Sequence, residues 1–313
     1  MPCCLFSKNR NALKENAMDT LESLRAKLES AADIDAVVKT MKAVAASNIG
    51  QYEKSVAALE DYYRTVSLGL TGYFKSKKIN GYEHAKQSKT TDELIGVIVF
   101  GSDQGLVGRF NDSLTEFVSQ SLNPFPNKKE IWSVGERIKL LLEDEGFNTT
   151  KLFAVPNEMD AITALVGDVL VKAQQSMEEQ GVDTLYIFHN QPKEGVGYIP
   201  IMRRLLPLDA KWQHEFTETK WPTNNLPQVA GAIQPTLLAL ISEYLFVSLF
   251  KACAESLASE NSSRLSAMQR AEKNIDELLE ELNNTFHRLR QSSIDEELFD
   301  VVAGFEALKQ ESN

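Results

Sequence analysis

The segment Leu237-Leu-Ala-Leu-Ile-Ser-Glu-Tyr-Leu-Phe-Val-Ser-Leu-Phe250 lies at the start of a run, 236–303, that contains neither glycine nor proline. A second run, 19–67, contains no proline and one glycine, Gly50. Helices of globular proteins average about 11–12 residues, so these two runs predict very long helices. Apart from Pro2, every proline lies within 124–235. The helix breakers are therefore concentrated between the two predicted helices.

Apolar residues recur in both runs at steps of three and four. In the first run the mean step is about 3.5 residues, which is typical of a left-handed coiled coil. Its seam comprises Leu21, Leu24, Leu28, Ala31, Ile34, Val38, Met41, Ala45, Ile49, Tyr52, Val56, Leu59, Tyr63, Val66, Leu70 and Tyr73. The second seam comprises Leu237, Leu240, Tyr244, Val247, Phe250, Ala254, Leu257, Leu265, Met268, Ala271, Ile275, Leu278, Leu282, Phe286 and Leu289. We expect the second helix to begin near Pro235 and to pair antiparallel with the first.

One polar segment, Ser259-Glu-Asn-Ser-Ser263, interrupts the second seam. It offers no apolar side chain to a partner helix. Two interpretations remain open from the sequence: a wide, hydrated section of coiled coil, or a section that contacts another protein.

Between the two helices, strand and helix signals alternate, which predicts a mostly parallel sheet with right-handed crossovers. The predicted strands are 94–100, 130–134, 152–155, 184–189 and 198–206, and the predicted helices are 111–122, 135–145 and 160–180. The predicted fold class is α/β: a long antiparallel coiled coil with a central Rossmann-like domain. We divide the chain into an extension (1–17), a first coiled-coil helix (18–75), the α/β domain (76–210), a connector (211–232) and a second coiled-coil helix (233–310).

Composition excludes several classes of function. The 44 acidic and 33 basic residues give a net charge of −11, which disfavours a sequence-independent nucleic-acid binder. Three cysteines, two of them adjacent, do not suffice for a disulfide framework or a zinc site. The most apolar stretch, 244–250, is too short to span a bilayer. These features favour a soluble, intracellular protein.

The loop Gly101-Ser-Asp-Gln-Gly-Leu-Val-Gly108 follows the first predicted strand, where a nucleotide-binding loop would lie. Its spacing differs from the dinucleotide fingerprint, and the chain contains no P-loop. A tight turn that uses Gly101, Gly105 and Gly108 is favoured over a ligand site. No motif for catalysis, metal or cofactor binding is recognisable. Near the end of the first helix, Lys75, Lys77 and Lys78 suggest helix capping or contact with an acidic neighbour.

Three motifs together resemble the gamma subunit family of F-type rotary ATP synthases. The first is Lys39-Thr-Met-Lys-Ala-Val-Ala-Ala-Ser47, and the second is Ser102-Asp-Gln-Gly-Leu-Val-Gly108. The third lies in the second long helix and comprises Leu257-Ala-Ser-Glu260, Arg264, Ala267-Met268, Arg290-Gln291, Ile294 and Glu297-Leu298. The resemblance covers 18–308.

The resemblance implies a central rotor shaft that couples ion flow through the membrane sector to ATP synthesis or hydrolysis. Its implied partners are a hexamer of alpha and beta subunits, the epsilon subunit and the membrane ring of c subunits. The implied location is peripheral, on the cytoplasmic face of a bacterial cell membrane. No active site is implied on this chain, since nucleotide chemistry belongs to the hexamer. By position, the implied rotor–hexamer contacts are Met41, Lys42, Arg264, Arg290, Gln291 and Glu297.

The sequence departs from the family pattern at Gln104, His287 and Asp295, which favours a divergent or second-copy ATPase. Residues 1–17 have no counterpart in the family, and we expect translation to begin at Met18. Two competing interpretations remain. The chain could be a coiled-coil scaffold with an α/β interaction module, or a nucleotide-dependent enzyme that uses the loop 101–108.

Overall fold

The computed structural model describes residues 20–77, 94–193, 197–208, 210–225 and 233–311. The extension 1–17 and the proposed start at Met18 lie outside these residues, as do Lys78 and the side chain of Lys77. The chain forms two compact units: residues up to Lys42 with those from Met268 onward, and Ala43–Ala267.

Long helices begin and end the described chain, as the absence of helix breakers predicts. In chain order the elements are α1 (Leu21–Lys77), β1 (Leu94–Phe100), α2 (Phe110–Leu122), β2 (Lys129–Val134), α3 (Glu136–Asp144), β3 (Thr149–Phe153), α4 (Met159–Glu179), β4 (Val182–Pro192), β5 (Tyr198–Leu206), α5 (Ala210–Glu218) and α6 (Ile233–Glu311). The α/β fold with long terminal helices is confirmed. The helix α6 begins two residues before Pro235.

The five strands form one sheet in the order β3-β2-β1-β4-β5. The first four strands pair in parallel, and β5 pairs antiparallel with β4. The prediction for β3 began three residues too late and ended two residues too late, because Thr149-Thr-Lys151 carries a weaker apolar signal than the residues that follow.

Both faces of the sheet are buried. On one face, apolar residues of β1 and β2 pack against Leu114 and Val118 of α2 and against Ile138 and Leu142 of α3. The other face is covered by α4 together with parts of the two long helices, including Tyr52, Leu249 and Leu257. Because the long helices supply part of the core, the sheet is not an independent module within its unit.

The short helix α5 was not predicted and lies within the expected connector. The rings of its Trp212 and Phe216, one turn apart, lie 4.9 Å from each other and pack with Phe74 of α1 and Tyr244 of α6 at centroid distances of 5.4–5.8 Å. Beyond its end, the carbonyl of Thr219 accepts a hydrogen bond of 2.6 Å from Lys75 Nζ. This contact is neither a cap of Lys75's own helix nor an acidic pairing.

The buried seam of the coiled coil keeps a regular seven-residue spacing, whereas the predicted seam departed from it in places. In α1, buried residues recur every seventh position at Leu24, Ala31, Val38, Ala45 and Tyr52. Two predicted seam residues were wrong: Ile34 is 55% exposed and Leu278 is 46% exposed. In each case the next residue, Asp35 or Leu279, is half-buried and lies in the seam instead. A step of four residues from the preceding seam position, not three, keeps the side chain on the same face of the helix.

One helix in the described part of the chain, α6, is long and apolar enough to cross a membrane by length and composition alone, with an 18-residue window of mean hydropathy 1.7. The prediction considered only the seven residues 244–250 and therefore underestimated the length of this apolar segment. Its apolarity has a second explanation, since Val247, Leu249, Phe250 and Cys253 are buried against the protein's own core. Burial also raises the pKa of the Cys253 thiol.

Candidate functional site on the C-terminal helix

The loop 101–108 is built for close packing. A Cβ atom on Gly101 would lie 2.2 Å from Cβ of Ile138, so α3 approaches too closely for any side chain. Gly108 has a φ of 57°, and Leu106 adopts a similar left-handed conformation with a φ of 61°. Gly105 has open space around it and no positive φ. The turn therefore has a structural need for glycine at Gly101 and Gly108.

The polar groups of this loop bind the rest of the sheet edge. Asp103 accepts hydrogen bonds from the backbone N–H of Glu136, at the start of α3, and of Val155, after β3, at 3.0 and 3.1 Å. Buried Ser102 and Asn111 bond to each other at 2.7 Å. Asp103 thus places its own carboxylate at the N-terminus of α3, where the helix dipole favours a negative charge.

The crevice where a doubly wound sheet binds ligands is occupied by α6. In such sheets, ligands bind beyond the carboxyl ends of the strands, at the point where strand order reverses, here between β1 and β4. Three α6 hydroxyls donate to carbonyls at this edge: Ser256 to Phe100 at 3.0 Å, Ser259 to Asn190 at 3.0 Å and Ser263 to Val107 at 2.6 Å. We call these three residues the serine ladder.

The serine ladder explains the polar segment 259–263. Its members stand three and four residues apart, so they share one helix face. Ser259, Glu260 and Asn261 are all buried. On this face the segment therefore packs against the protein's own sheet edge and is not a hydrated section of coiled coil. That interpretation was wrong, because an apolar seam was assumed to be the only way to bury a helix face. Contact of the half-buried Ser262 with another protein stays a prediction.

A buried histidine–glutamate pair adjoins the serine ladder. His189 Nε2 on β4 lies 2.8 Å from Glu255 Oε2 on α6, and both side chains are almost wholly buried. Gln191 donates to the other carboxylate oxygen at 3.2 Å. Burial lowers the pKa of His189 despite the carboxylate beside it. Burial alone would raise the pKa of Glu255, but the His189 hydrogen bond and the charges of Arg203 and Lys251 lower it. The pair thus joins β4 to α6 through a buried hydrogen bond.

Arg264, which the resemblance implies as a rotor–hexamer contact, is largely buried. Its Nη2 donates to Glu260 Oε1 at 2.6 Å, and only 16% of its side chain is exposed. Burial raises the pKa of Glu260, with a further contribution from Asp103, and Arg264 opposes that shift. Glu260 Oε2 and Arg264 Nε are buried without a hydrogen-bond partner.

The other predicted contact residues fall into two groups. Lys42 forms an ion pair with Glu272 at 2.6 Å between α1 and α6, and its neighbour Met41 is half-buried. Arg290, Gln291 and Glu297 are exposed. Arg264 belongs to the unit Ala43–Ala267, and the other five residues belong to the unit formed by the beginning of α1 and the end of α6.

Large apolar side chains accompany the exposed polar residues at the C-terminal end of α6. Because Lys42 pairs with Glu272 across antiparallel helices, the residues of α6 beyond about 293 extend past the beginning of α1 at Leu21. Five apolar residues of this extension are 47–72% exposed: Ile294, Leu298, Phe299, Val301 and Val302. We call these five residues the terminal apolar patch.

Sequence analysis missed the serine ladder, the His189–Glu255 pair and the terminal apolar patch as a surface. The sequence does contain a signal for the ladder. Serines at 256, 259 and 263 are spaced three and four residues apart, which is the spacing that apolar residues have on a buried helix face. Among the described residues, no three His, Cys, Asp or Glu side chains are close enough to hold a metal ion.

Comparisons with known proteins cover nearly the whole chain. A family described as ATP synthase matches residues 20–308. The ATP synthase gamma chain of Bdellovibrio bacteriovorus is 25% identical over 297 residues, which span 93% of this chain and 100% of that protein.

Solved structures share the fold. A chain of the Euglena gracilis mitochondrial ATP synthase, solved as OSCP/F1/c-ring, aligns over 92% of this chain and 94% of its own length, with a TM-score of 0.61 and 18% identity. A chain of the Tetrahymena thermophila mitochondrial ATP synthase, solved as central stalk and c-ring, aligns over 75% and 99%, with a TM-score of 0.54 and 20% identity.

Proposed function

The chain belongs to the ATP synthase gamma subunit family, and from this premise we propose that it is the rotor shaft of the enzyme's central stalk. In this proposal, rotation of the chain couples ion flow through the membrane sector to ATP synthesis or hydrolysis in a hexamer of alpha and beta subunits. The chain contacts the epsilon subunit and the ring of c subunits, on the cytoplasmic face of the membrane.

The observation that carries the proposal is the terminal apolar patch. Phe299 and Val301 are 72% and 70% exposed, on a helix end that no other described part of the chain covers. Exposed clusters of large apolar side chains mark surfaces that bind a partner. The end of a shaft that turns inside a hexamer requires such a surface. The surrounding subunits must hold the shaft end in place at every rotational position, and apolar contacts do this because they are not directional.

A shaft can select among the three catalytic sites only through contacts that differ between their conformations. We propose that Met41, Lys42, Arg264, Arg290, Gln291 and Glu297 make these contacts. Arg290, Gln291 and Glu297 are exposed, and Lys42 is 35% exposed beside its ion pair. Arg264 donates one hydrogen bond to Glu260 through Nη2, and 16% of its side chain is exposed to a partner.

The filled crevice between β1 and β4 argues against a nucleotide-dependent enzyme. A nucleotide would have to displace three hydroxyl–carbonyl hydrogen bonds of the serine ladder. In the proposed function, nucleotide binding belongs to the hexamer, and the α/β domain binds its own helix instead.

The test is assembly. The full chain is co-expressed with the alpha and beta subunits of its own organism, the product is sized, and Mg-ATP hydrolysis is measured with and without the chain. We expect one copy of the chain with six large subunits, and hydrolysis that depends on it. An elongated dimer of the chain that leaves hydrolysis unchanged would instead identify a coiled-coil scaffold.

A further inference from the structure

The contact between α6 and the sheet edge has an apolar part and a polar part that differ in directionality. The apolar part uses the large side chains of Leu249 and Phe250 and, closer to the serine ladder, the small side chains of Cys253, Ala254 and Ala258. The hydrophobic effect that holds this part together is non-directional, and small side chains interdigitate less than large ones. At the serine ladder, the polar part therefore adds the directional contacts that fix the angular position of the helix on the sheet.

The polar part includes four side-chain connections between α6 and the sheet edge. The serine ladder reaches three separate carbonyls, one at the end of β1, one in β4 and one in the loop 101–108. The His189–Glu255 pair adds a fourth connection from β4 to the same helix. Hydrogen bonds weaken steeply with misalignment, and a buried carbonyl that loses its donor finds no water to replace it.

We propose that the serine ladder and the His189–Glu255 pair form the joint that transmits torque between the α/β domain and α6. The inference rests on the proposed function, in which force enters through the α/β domain and leaves through the long helices. Without these bonds, α6 can turn or slide against the sheet under load while both remain folded. Ser256, Ser259 and Ser263 are thus positioning residues for coupling, and they touch neither nucleotide nor hexamer.

The first test compares two variants of the full chain in the complete complex, reconstituted in vesicles. Ser259→Ala/Ser263→Ala removes two ladder bonds, and Ser262→Ala removes a neighbouring hydroxyl for which the structure shows no hydrogen bond. The loss of each hydrogen bond should lower about fivefold the ratio of molecules with α6 in its observed position on the sheet to molecules with α6 displaced. We therefore expect the double variant to keep ATP hydrolysis but to lose ATP-driven ion transport severalfold. Ser262→Ala should match the unmodified chain in both.

A second pair isolates the hydroxyl from its size. Ser263 is half-buried, so it tolerates a larger side chain better than the fully buried Ser259. Thr and Val have nearly the same shape, and only Thr keeps the donor to Val107. We expect Ser263→Thr to retain the ratio of ion transport to hydrolysis and Ser263→Val to lower it. Equal ratios in these two variants, or an unchanged ratio in Ser259→Ala/Ser263→Ala, would overturn the proposal.

Hydrogen exchange on the free chain separates this inference from the proposed function. If the unmodified chain does not assemble with the hexamer, the proposed function fails, and the joint can still be examined alone. Amide hydrogens of β4 near Asn190 and of α2 near Phe110 should exchange faster in the double Ala variant than in Ser262→Ala. Equal exchange rates in the two variants would show that the serine ladder does not stabilise the contact between α6 and the sheet edge, and would overturn the proposed joint.

Discussion

Two segments of α6 carry similar numbers of polar residues and have opposite environments. In 255–264, serine, glutamate and arginine side chains are buried and mostly hydrogen-bonded. In 290–302, polar and large apolar side chains are exposed together. Residue type on a helix therefore does not reveal its environment. What distinguishes the segments is whether the protein's own carbonyls and carboxylates lie opposite the polar groups.

The comparison assigns the two segments different tasks. The buried segment fixes α6 to the sheet, and substitutions there should reduce the stability of the free chain. The exposed segment has no such role within the described residues, and substitutions there should affect assembly alone. The following predictions test this division, beginning with the largest expected effect.

Arg264→Ala should destabilise the free chain most. It leaves the Glu260 carboxylate buried without the guanidinium that bonds it at 2.6 Å. Breaking a buried ion pair costs about 3–5 kcal/mol, and the partial exposure of Arg264 places this case at the lower end. Urea unfolding of the free chain should show the loss, whereas Arg290→Ala should stay within about 0.5 kcal/mol of the unmodified chain. Equal midpoints in the two variants would contradict the division.

The double variant Glu260→Gln/Arg264→Met should recover much of that loss. It removes the buried carboxylate charge together with its partner and retains a side chain of similar length at each position. Replacing both members of a buried pair is often neutral, unlike removing one. The urea midpoint should lie well above that of Arg264→Ala. A midpoint as low as that of Arg264→Ala would mean that the guanidinium stabilises the chain through contacts other than Glu260.

Acidification should weaken the buried segment through His189. Because the folded state lowers the pKa of His189 below its ordinary value of 6.5, the unfolded chain binds the proton more readily. Stability from this group is present above pH 6.5 and falls as the pH drops below it, by at most about 1.4 kcal/mol per pH unit. Glu255, whose pKa is also lowered, adds a loss below about pH 4.5.

Urea midpoints measured from pH 7.5 to 5.5 test this dependence. In His189→Gln, which removes the titrating ring, the decline between pH 6.5 and 5.5 should be smaller than in the unmodified chain. A decline in His189→Gln as steep as that of the unmodified chain would contradict the assignment of this pH dependence to His189.

The sequence predicted the long helices, the approximate positions of the five strands and the α/β class, because these depend on periodicity and on the absence of Pro and Gly. It did not predict α5, in which only Trp212 and Phe216 signal burial across one turn. It also could not place Ser259 or His189, because their environment is set by carbonyls and carboxylates remote in sequence. Arg264 illustrates the limit best: its partner Glu260 is one turn away, yet burial of the pair depends on the sheet.

Phe299→Ser/Val301→Ser should have the smallest effect on the free chain and the clearest effect on assembly. Both side chains are already exposed, so the free energy of unfolding should change by less than about 0.5 kcal/mol. Their apolar area can be removed from water only by a partner, so copurification of the chain with alpha and beta subunits should weaken. Ser292→Ala, at an exposed position on the same helix, should change neither quantity. Unchanged assembly of the Phe299→Ser/Val301→Ser chain would mean that the terminal apolar patch is not a contact surface, and the division between a fixing segment and a binding segment of α6 would lose its second half.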